Sequence, residues 1–398
     1  MKYITLVPDG VADEPLPELG GRTPLQAAST PHMDRLAREG LSGLVRIIPS
    51  GMSPGSDVGN MSVLGYDATK GFSGRAPLEA ANLGIRLKDD ELAFRCNLLT
   101  VRDNTMIDYS AGHITIDEAA VIMTDISREL SDDNVRFYVG KSYRHIAVIR
   151  SADKLAFLQT RCTPPHDITG KPVGPFLPQG SQAGFLAAYA ERAGSLLAAH
   201  PVNKARAARG DEPGNALWFW GQGGRPALEL FRDRYGLSGS IISAVDLVNG
   251  IGRVVGLDVI TVPGATGYYD TNYQGKADMG MASLSNRDFV YIHVESTDEA
   301  GHNGDAGAKI DCIEKFDKHV VGSALEYCRS NPETRLLVTP DHPTPVARRT
   351  HTSAPVPCVI FGKGIESNGG DGYNEVSASA RGVIFESGMA MVERFMRT

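Results

Sequence analysis

Aspartate and histidine residues stand in three widely separated groups, and each group follows a short apolar run of the sequence. Asp9 comes after residues 3–7, and the pair Asp341 and His342 comes after residues 336–338. The full set is Asp9, Asp298, His302, Asp341, His342 and His351. Mixed carboxylate and imidazole donors suit Zn²⁺ or Mn²⁺, whereas Mg²⁺ and Ca²⁺ prefer shells made only of oxygen. These residue types therefore predict a divalent-metal site.

Each of these residues also has a simpler interpretation. An aspartate after a strand is most often a turn or helix cap. Asp298 and His302 have the spacing of a surface pair on a helix, although Gly301 between them indicates a loop. The adjacent side chains of Asp341 and His342 should point in opposite directions, so both are ligands only if two metals or a bridged site lie there. The metal interpretation thus depends on the three groups meeting in space.

A serine at the expected start of a helix is the candidate nucleophile. Gly55 permits a tight turn, and the residues after Ser56 can enter a helix. Free N–H groups and the positive end of the helix dipole make such a position favourable for phosphate. The alternative is that Ser56 is a plain N-cap, the commonest role of serine there. A neutral hydroxyl needs a base or a metal to become a good nucleophile, so this interpretation depends on the metal site.

Strands and helices alternate at both ends of the chain, which predicts an α/β protein with a largely parallel sheet covered on both faces. Because open α/β sheets place their active sites at the carboxyl ends of the strands, the three groups should meet at one edge. The expected strands are residues 3–7, 289–294, 336–338 and 356–361, and the expected helices are one that opens at Thr30-Pro31 and residues 306–329 and 381–396.

The middle of the chain has a different character. It combines half-exposed strand-like runs with helical segments, namely strands at 93–101, 135–139 and 145–149 and helices at 117–130 and 182–200. We therefore expect a discontinuous core, residues 1–82 and 224–398, that contains an inserted α+β domain, residues 83–223.

The composition excludes several classes of protein. Of the 398 residues, 42% are hydrophobic and 22% are charged, as in ordinary globular proteins. The net charge of −7 argues against bulk nucleic-acid binding, and no apolar run approaches the ~20 residues of a membrane-spanning helix. Five scattered cysteines without a C-x-x-C pair fit reduced thiols. We expect a cytoplasmic protein with neither a nucleic-acid nor a membrane partner, and the oligomeric state stays open.

The order of the motifs resembles the alkaline phosphatase superfamily and, within it, the archaeal-type 2,3-bisphosphoglycerate-independent phosphoglycerate mutases. The matching motifs are Asp9, Gly-Ser-Asp-Val-Gly-Asn at residues 55–60, Asp298-x-x-x-His302, Asp341-His342 and His351. Further shared features lie at residues 20–25, 64–67, 74–80 and 264–267. The resemblance covers essentially the whole chain. It implies an alkaline-phosphatase-like three-layer α/β/α sandwich with an inserted α+β lid domain.

The resemblance also implies a site with two divalent metals, Mn²⁺ being favoured and Zn²⁺ or Mg²⁺ being alternatives. One metal would be held by Asp298, His302 and His351. The other would be held by Asp9, Asp341 and His342, with Ser56 beside it as a ligand and the phosphorylated nucleophile. Lys276 stands where the family places a lysine near the phosphoserine, and a solvated surface lysine is the equal alternative. The candidate substrate-binding residues are Arg75, His113, Arg144, His145, His166 and Lys171, and the last four could equally be structural caps or surface charges.

The implied activity is the glycolytic interconversion of 3-phosphoglycerate and 2-phosphoglycerate, a small phosphorylated substrate, through phosphoserine. The sequence departs from the family pattern at two positions. The family has an arginine at the position of His113 and a basic residue near that of Gln222. This variant pattern resembles a bacterial side branch proposed to phosphorylate homoserine. A phosphotransferase acting on homoserine or another small hydroxyl acceptor is therefore the first alternative, and a non-catalytic metal-binding scaffold is the second.

Overall fold

A computed structural model describes residues 1–397, and these residues form two compact units. The first unit combines Met1–Phe72 with the chain from Ala227 onward, and the second, the inserted unit, is Ser73–Pro226. Of the described residues, thirteen segments are β-strands and seventeen are α-helices.

The strands are β1 (Lys2–Pro8), β2 (Leu41–Val45), β3 (Glu91–Arg102), β4 (Thr105–Asp108), β5 (Val135–Lys141), β6 (Arg144–Arg150), β7 (Ala216–Gly224), β8 (Gly239–Ile242), β9 (Asp258–Val259), β10 (Phe289–Val294), β11 (Thr334–Val338), β12 (Val356–Gly362) and β13 (Ile384–Phe385). The helices are α1 (Pro24–Ala27), α2 (Pro31–Glu39), α3 (Ser56–Val63), α4 (Ala68–Gly71), α5 (Arg75–Asn82), α6 (Ile116–Leu130), α7 (Lys154–Leu158), α8 (Ala183–Ala199), α9 (Pro201–Arg209), α10 (Phe231–Tyr235), α11 (Asp246–Val254), α12 (Tyr273–Ser283), α13 (Ser296–Asn303), α14 (Ala306–Lys315), α15 (Gly322–Ser330), α16 (Glu375–Ala380) and α17 (Gly388–Met396).

The first unit is built on an eight-stranded sheet in the order β13-β2-β12-β11-β1-β10-β8-β9. Strand β1 lies between β10 and β11 and runs parallel to both, with Pro8 beside Val294 and Leu6 beside Val338. The carboxyl ends of these three strands therefore meet at one edge, as the sequence predicts. The sheet is mixed, however, because β12 is antiparallel to both β11 and β2.

Helices cover both faces of this sheet. On one face, Ile4 and Leu6 of β1 belong to the same buried cluster as Met33 and Leu36 of α2. On the other face, the ring of Tyr3 lies 5.5 Å from that of Phe395 in α17, centroid to centroid. Apolar side chains on alternate positions of β1 thus face two helical layers, as is typical of buried parallel strands. The unit is a three-layer α/β/α sandwich, which confirms the expected fold class.

Two helices differ from their expected form. The terminal helix begins at Gly388 and not at residue 381, because Ser387 caps it by accepting a hydrogen bond from Ala390 N and the short strand β13 precedes it. The helix expected over residues 306–329 is continuous, but its middle, Phe316–Val321, is a π-helical segment between α14 and α15. None of the helices within residues 1–397 combines the length and the apolar character needed to cross a membrane.

The inserted unit contains an antiparallel sheet in which β3 pairs with β4, β6 and β7, and β6 pairs with β5. Helices α6 and α8 pack on this sheet through a separate core that includes Phe94, Ile122 and Leu186. The unit begins at Ser73, earlier than the boundary expected at residue 83, since α5 packs against β3 and β7.

A buried histidine in this unit has an unusual environment. His145 on β6 is 1% exposed, its Nδ1 accepts a hydrogen bond of 3.0 Å from Gly140 N, and its Nε2 has no partner among the described residues. Burial lowers the pKa of His145 to about 3. In the unfolded chain a histidine has a pKa of about 6.5. Between this value and the lowered pKa of the folded state, His145 is neutral in the folded unit and charged in the unfolded chain.

We predict that this histidine makes the protein less stable as the pH falls from 6.5 toward 3, because the unfolded state then binds a proton that the folded state does not. Between pH 6.5 and 5 the loss should be about 2 kcal/mol. Urea unfolding of the wild type and of His145→Gln at pH 7 and pH 5 measures it. An equal pH dependence in the two proteins would contradict this assignment.

Candidate active site

The three groups of aspartate and histidine meet at the carboxyl edge of the central sheet. Asp9 follows β1, Asp341 and His342 follow β11, and the three side chains are fully buried. Nε2 of His342 lies 3.4 Å from Asp9 Oδ1 and 3.5 Å from Asp341 Oδ2. The expected opposite orientation of the adjacent Asp341 and His342 is therefore not found, since both side chains reach the same buried space. The chain bends here because Thr339-Pro340 ends the strand.

Asp298 and His302 lie one turn apart on α13, which begins two residues after β10. The prediction of a loop at Gly301 is wrong, because Gly301 lies within α13. Gly301 serves a close approach, because a Cβ at this position would lie 2.3 Å from the carbonyl oxygen of Thr344. Asp298 Oδ2 lies 3.2 Å from His302 Nε2, and Asp298 Oδ1 lies 3.5 Å from His351 Nε2. One carboxylate and two imidazoles thus converge.

The two imidazoles of this trio face each other directly. Nε2 of His302 lies 2.9 Å from Nε2 of His351. On the opposite side of its ring, His302 Nδ1 lies 3.1 Å from the carbonyl oxygen of Arg349, which orients the Nε2 lone pair toward the other ligands. The ring of His342 lies 4.1 Å from that of His351, so this trio is continuous with the residues around Asp9.

Ser56 is the first residue of α3, and Gly55 is the N-cap. The N-cap interpretation of Ser56 is therefore wrong. Its Oγ lies 3.2 Å from Nε2 of His342, which brings the candidate nucleophile to the metal-ligand cluster. Helix α3 approaches the end of β11 closely, since a Cβ on Gly59 would lie 2.4 Å from the carbonyl oxygen of Asp341.

Three residues that sequence reasoning missed also belong to this cluster. Asn60 donates to Asp341 Oδ2 at 2.7 Å and accepts at Oδ1 from the hydroxyl of Tyr291 at 2.6 Å, so it fixes the Asp341 carboxylate. His293 on β10 lies with its Nε2 3.0 Å from Asp9 Oδ2. The one available signal was polarity: Tyr291 and His293 alternate in an otherwise apolar strand whose other residues are typical of a sheet interior.

Buried negative charge dominates the electrostatics of the site. Burial and the neighbouring carboxylates of Asp341 and Asp298 raise the pKa of Asp9 well above its usual range. Burial and Asp298 raise the pKa of Glu295 in the same manner. Burial alone would also raise the pKa of Asp298, but its contacts with His302 and His351 hold this pKa well below its usual value. Several carboxylates buried together need a cation to stay ionised.

The donor set fits divalent metals. Neither carboxylate oxygen of Asp9 nor Nε2 of His293 has a hydrogen-bond partner among residues 1–397, although these atoms are buried and adjacent. The ligand atoms of Asp9, His293 and Asp341 lie within 4.8 Å of one another, as do those of Asp298, His342 and His351. Orphaned carboxylate and imidazole atoms that face a common space are the arrangement a first-row divalent ion requires.

Lys276 lies on α12 and is fully buried, which excludes the solvated surface lysine. Its Nζ donates to the carbonyl oxygen of His293 at 3.1 Å, whereas Ser56 Oγ lies beside His342. Burial lowers the pKa of Lys276 to about 8, although the carboxylate of Glu295 acts in the opposite direction. The ammonium group is therefore part of the environment of the metal-ligand cluster.

The remaining predicted residues lie in the inserted unit. Arg144 Cζ lies 5.5 Å from the ring centroid of Tyr143, whose ring contacts Tyr109, and Tyr109 in turn contacts His166. Burial lowers the pKa of His166, and the cationic Arg75 contributes to this shift. Arg144 and His166 thus lie around one aromatic cluster, and Arg75 is near enough to lower the pKa of His166.

The other three predicted substrate-binding residues are His113, His145 and Lys171. His145 is enclosed within the unit, and Lys171 Nζ donates to the carbonyl of Asp167 at 2.9 Å. His113 is exposed, with a φ of 50° in the turn that follows β4. Sequence reasoning missed two residues of the aromatic cluster: Trp220 contacts His166, and the guanidinium carbon of Arg95 lies 4.3 Å above the Trp220 ring.

A family model and the similar curated proteins point to the same family of enzymes. The family described as 2,3-bisphosphoglycerate-independent phosphoglycerate mutase matches residues 37–203. The protein of that name from Methanosarcina acetivorans is 50% identical over 362 residues, 91% of this chain and 90% of its own length. That from Methanothrix thermoacetophila is 48% identical over 394 residues, 99% of this chain and 97% of its own.

Two solved structures resemble the chain along nearly its whole length. The PH0037 protein from Pyrococcus horikoshii has a TM-score of 0.85 and 30% identity, covering 99% of this chain and 97% of its own. The cofactor-independent phosphoglycerate mutase from Thermoplasma acidophilum has a TM-score of 0.68 and 28% identity, with 98% of each chain covered. With relatives of 48–50% identity along more than nine-tenths of its length, the chain belongs to the 2,3-bisphosphoglycerate-independent phosphoglycerate mutase family.

Proposed function

We propose that this protein interconverts 3-phosphoglycerate and 2-phosphoglycerate through a phosphate bound covalently to Ser56. The observation that supports this most directly is the position of the serine. Its Oγ lies 3.2 Å from His342 Nε2, at the first residue of α3 and beside a buried cluster of carboxylates. A hydroxyl at a helix N-terminus has both a site for phosphate and a means of activation nearby.

The metal ligands we assign are Asp298, His302 and His351 for one ion and Asp9, Asp341, His342 and Ser56 for the other. His293 is a further candidate for the second group because its Nε2 faces Asp9 at 3.0 Å. Mn²⁺ fits the mixed nitrogen and oxygen donors best, with Zn²⁺ and Mg²⁺ as alternatives. When bound, such ions lower the pKa of the serine hydroxyl and neutralise charge on the transferring phosphate.

The chain's own residues then perform the transfer in two halves. Ser56 Oγ loses its proton and forms a bond to phosphorus, while the bond between phosphorus and the glycerate oxygen breaks and that oxygen takes up a proton. The N–H groups at the start of α3 stabilise the phosphate on Ser56. The glycerate turns, and its other hydroxyl attacks the same phosphorus, so that Ser56 regains its hydroxyl. Buried Lys276 adds positive charge to this environment.

We assign substrate binding and the exclusion of water to the inserted unit, acting as a lid. Water that reached phosphoserine would hydrolyse it and convert a mutase into a phosphatase. Arg144 and His166 at the aromatic cluster, with Arg75 near His166, are our candidates for binding the anionic substrate, because arginine suits bidentate contact with phosphate or carboxylate. His113 is exposed enough to join them, whereas enclosed His145 fits a structural role better.

A homoserine-type phosphotransferase is the second candidate function. It is favoured by His113 and Gln222, which stand where the resemblance implies basic residues. In this chain Gln222 Nε2 donates within the unit to the carbonyl of Thr160 at 2.5 Å, so this side chain serves structure. The mutase names of relatives such as that from Methanosarcina acetivorans favour the first candidate.

We expect the purified, manganese-loaded protein to convert 3-phosphoglycerate into 2-phosphoglycerate without added 2,3-bisphosphoglycerate. An enolase-coupled assay measures this product. In a parallel reaction, homoserine with a phosphoryl donor should give no phosphohomoserine by mass spectrometry. The reverse pair of results would favour the phosphotransferase.

Removal of a metal ligand should reduce both metal binding and activity. We expect Asp341→Asn and His351→Ala to lose most of the activity and part of the bound metal, because each change removes one donor from a separate group. Metal content after gel filtration and the coupled assay are the two measurements. The control is Lys363→Gln, a change at an exposed side chain whose Nζ pairs with exposed Glu333. Full metal content and full activity in either ligand variant would contradict the two-metal assignment.

Replacement of the nucleophile should separate chemistry from folding. We expect Ser56→Ala to lose nearly all activity while its melting temperature remains close to that of the wild type, because Gly55 and not Ser56 caps α3. Wild-type protein quenched during turnover should show phosphate on Ser56 by peptide mass spectrometry. An active Ser56→Ala protein would exclude both the covalent mechanism and this serine's role in either candidate function.

A further inference from the structure

Thr344 touches ligands from both proposed metal groups. Its side chain is fully buried, and its hydroxyl donates to Asp298 Oδ1. The same Oγ1 lies 3.2 Å from Nδ1 of His342. Asp298 belongs to the group with His302 and His351, and His342 to the group with Asp9 and Asp341, so one hydroxyl lies between the two.

The direction of the protons follows from the partners. A carboxylate only accepts, so the single hydrogen of the Thr344 hydroxyl points to Asp298. The hydroxyl oxygen must then accept from His342, which places the imidazole proton on Nδ1. Nε2 of His342 is left with a free lone pair, and this is the nitrogen that lies 3.2 Å from Ser56 Oγ. A histidine ligand whose second nitrogen donates to a fixed acceptor is oriented and more basic.

Thr344 is held in place by its backbone. Its N–H donates to the carbonyl of Gly10, the residue after Asp9, at 3.2 Å. Its carbonyl accepts from Lys309 Nζ at 2.8 Å, and Lys309 also forms an ion pair of 2.7 Å with Asp13. Both side chains of this pair are fully buried, and Asp13 in turn accepts from Val346 N at 3.1 Å. This buried ion pair, with its hydrogen bonds to the backbone of Thr344 and Val346, anchors the loop.

We infer that Thr344 is a positioning residue that sets the orientation of Asp298 and the tautomer of His342 at once, and thereby links the two metal groups. The inference rests on the proposed two-metal site. Without the hydroxyl, Asp298 loses a donor and the Nδ1–H of His342 loses its acceptor, so both groups should bind a divalent ion more weakly. A residue that only filled space would depend on its methyl group and not on its hydroxyl.

Titration of metal-stripped protein with Mn²⁺ by calorimetry tests this. We expect the wild type to bind two ions and Thr344→Val, which keeps the shape and loses the hydroxyl, to bind both about 10–100-fold more weakly. Thr344→Ser, which keeps the hydroxyl, should restore most of the affinity. Thr334→Val is the matched control, because the Thr334 hydroxyl on β11 is also buried but has no partner among the described residues. Its affinity should equal that of the wild type.

Melting of the same metal-free proteins distinguishes binding from folding. We expect Thr344→Val to melt near Thr334→Val, and Thr344→Ala is the second variant if valine prevents folding. The inference is overturned if a folded Thr344→Val or Thr344→Ala protein binds Mn²⁺ as tightly as the wild type. It is also overturned if Thr344→Ser binds Mn²⁺ as weakly as Thr344→Val, or if neither Thr344→Val nor Thr344→Ala folds. If the wild type itself binds no Mn²⁺ and Asp341→Asn behaves identically, the proposed metal site fails and the inference fails with it.

Discussion

Buried negative charge without a matching protein cation is the constraint on which the first unit depends. Asp9 and Asp341 lie within 3.5 Å of His342, Asp298 lies within 3.5 Å of His302 and His351, and both oxygens of Asp9 have no hydrogen bond from residues 1–397. The nearest buried ammonium groups are engaged elsewhere, Lys276 with the carbonyl of His293 and Lys309 with Asp13. Such an arrangement is costly by itself, since breaking up charge compensation in a buried site costs several kcal/mol. The divalent ions proposed for this site would supply the positive charge that the chain lacks.

The architecture of the sheet accounts for this concentration of ligands. Three neighbouring parallel strands, β11, β1 and β10, end at one edge of the sheet, and each is followed within four residues by an aspartate of the cluster. Two glycines then allow helices to pack closely on this edge. Gly59 lets α3 contact the backbone of Asp341, and Gly301 lets α13 contact the backbone of Thr344. The positions of the ligands therefore follow from sheet register, whereas their orientations follow from hydrogen bonds of Asn60, Thr344 and the carbonyl of Arg349.

The sequence alone was sufficient to predict the structural features that depend on the local pattern of residues. The apolar runs located β1, β10, β11 and β12, and aspartates after strand ends identified the cluster. It was insufficient where the conformation or role of a residue depends on a contact with a residue distant in sequence. Gly301 has a helical conformation because α13 packs on Thr344, and His293 is hidden in an apolar strand that gives no sign of its neighbour Asp9. The mixed sheet was also missed, because strand direction depends on connections and not on composition. Functional assignments in the inserted unit stay predictions for the same reason: exposed arginines and histidines carry no local pattern.

The central position of β1 has a consequence for how the chain is made. Tyr3 pairs with Phe289 on one side and with Arg335 on the other, so the first strand finds its neighbours only after most of the polypeptide exists. During synthesis, residues 73–226 have all their internal partners available well before β10 emerges, whereas the apolar residues of β1 do not. Long-range parallel pairing of this kind is slow and leaves hydrophobic surface exposed in the meantime. Assembly of the central sheet therefore waits until β10 and β11 have been made, and the apolar residues of β1 lack their partners until then.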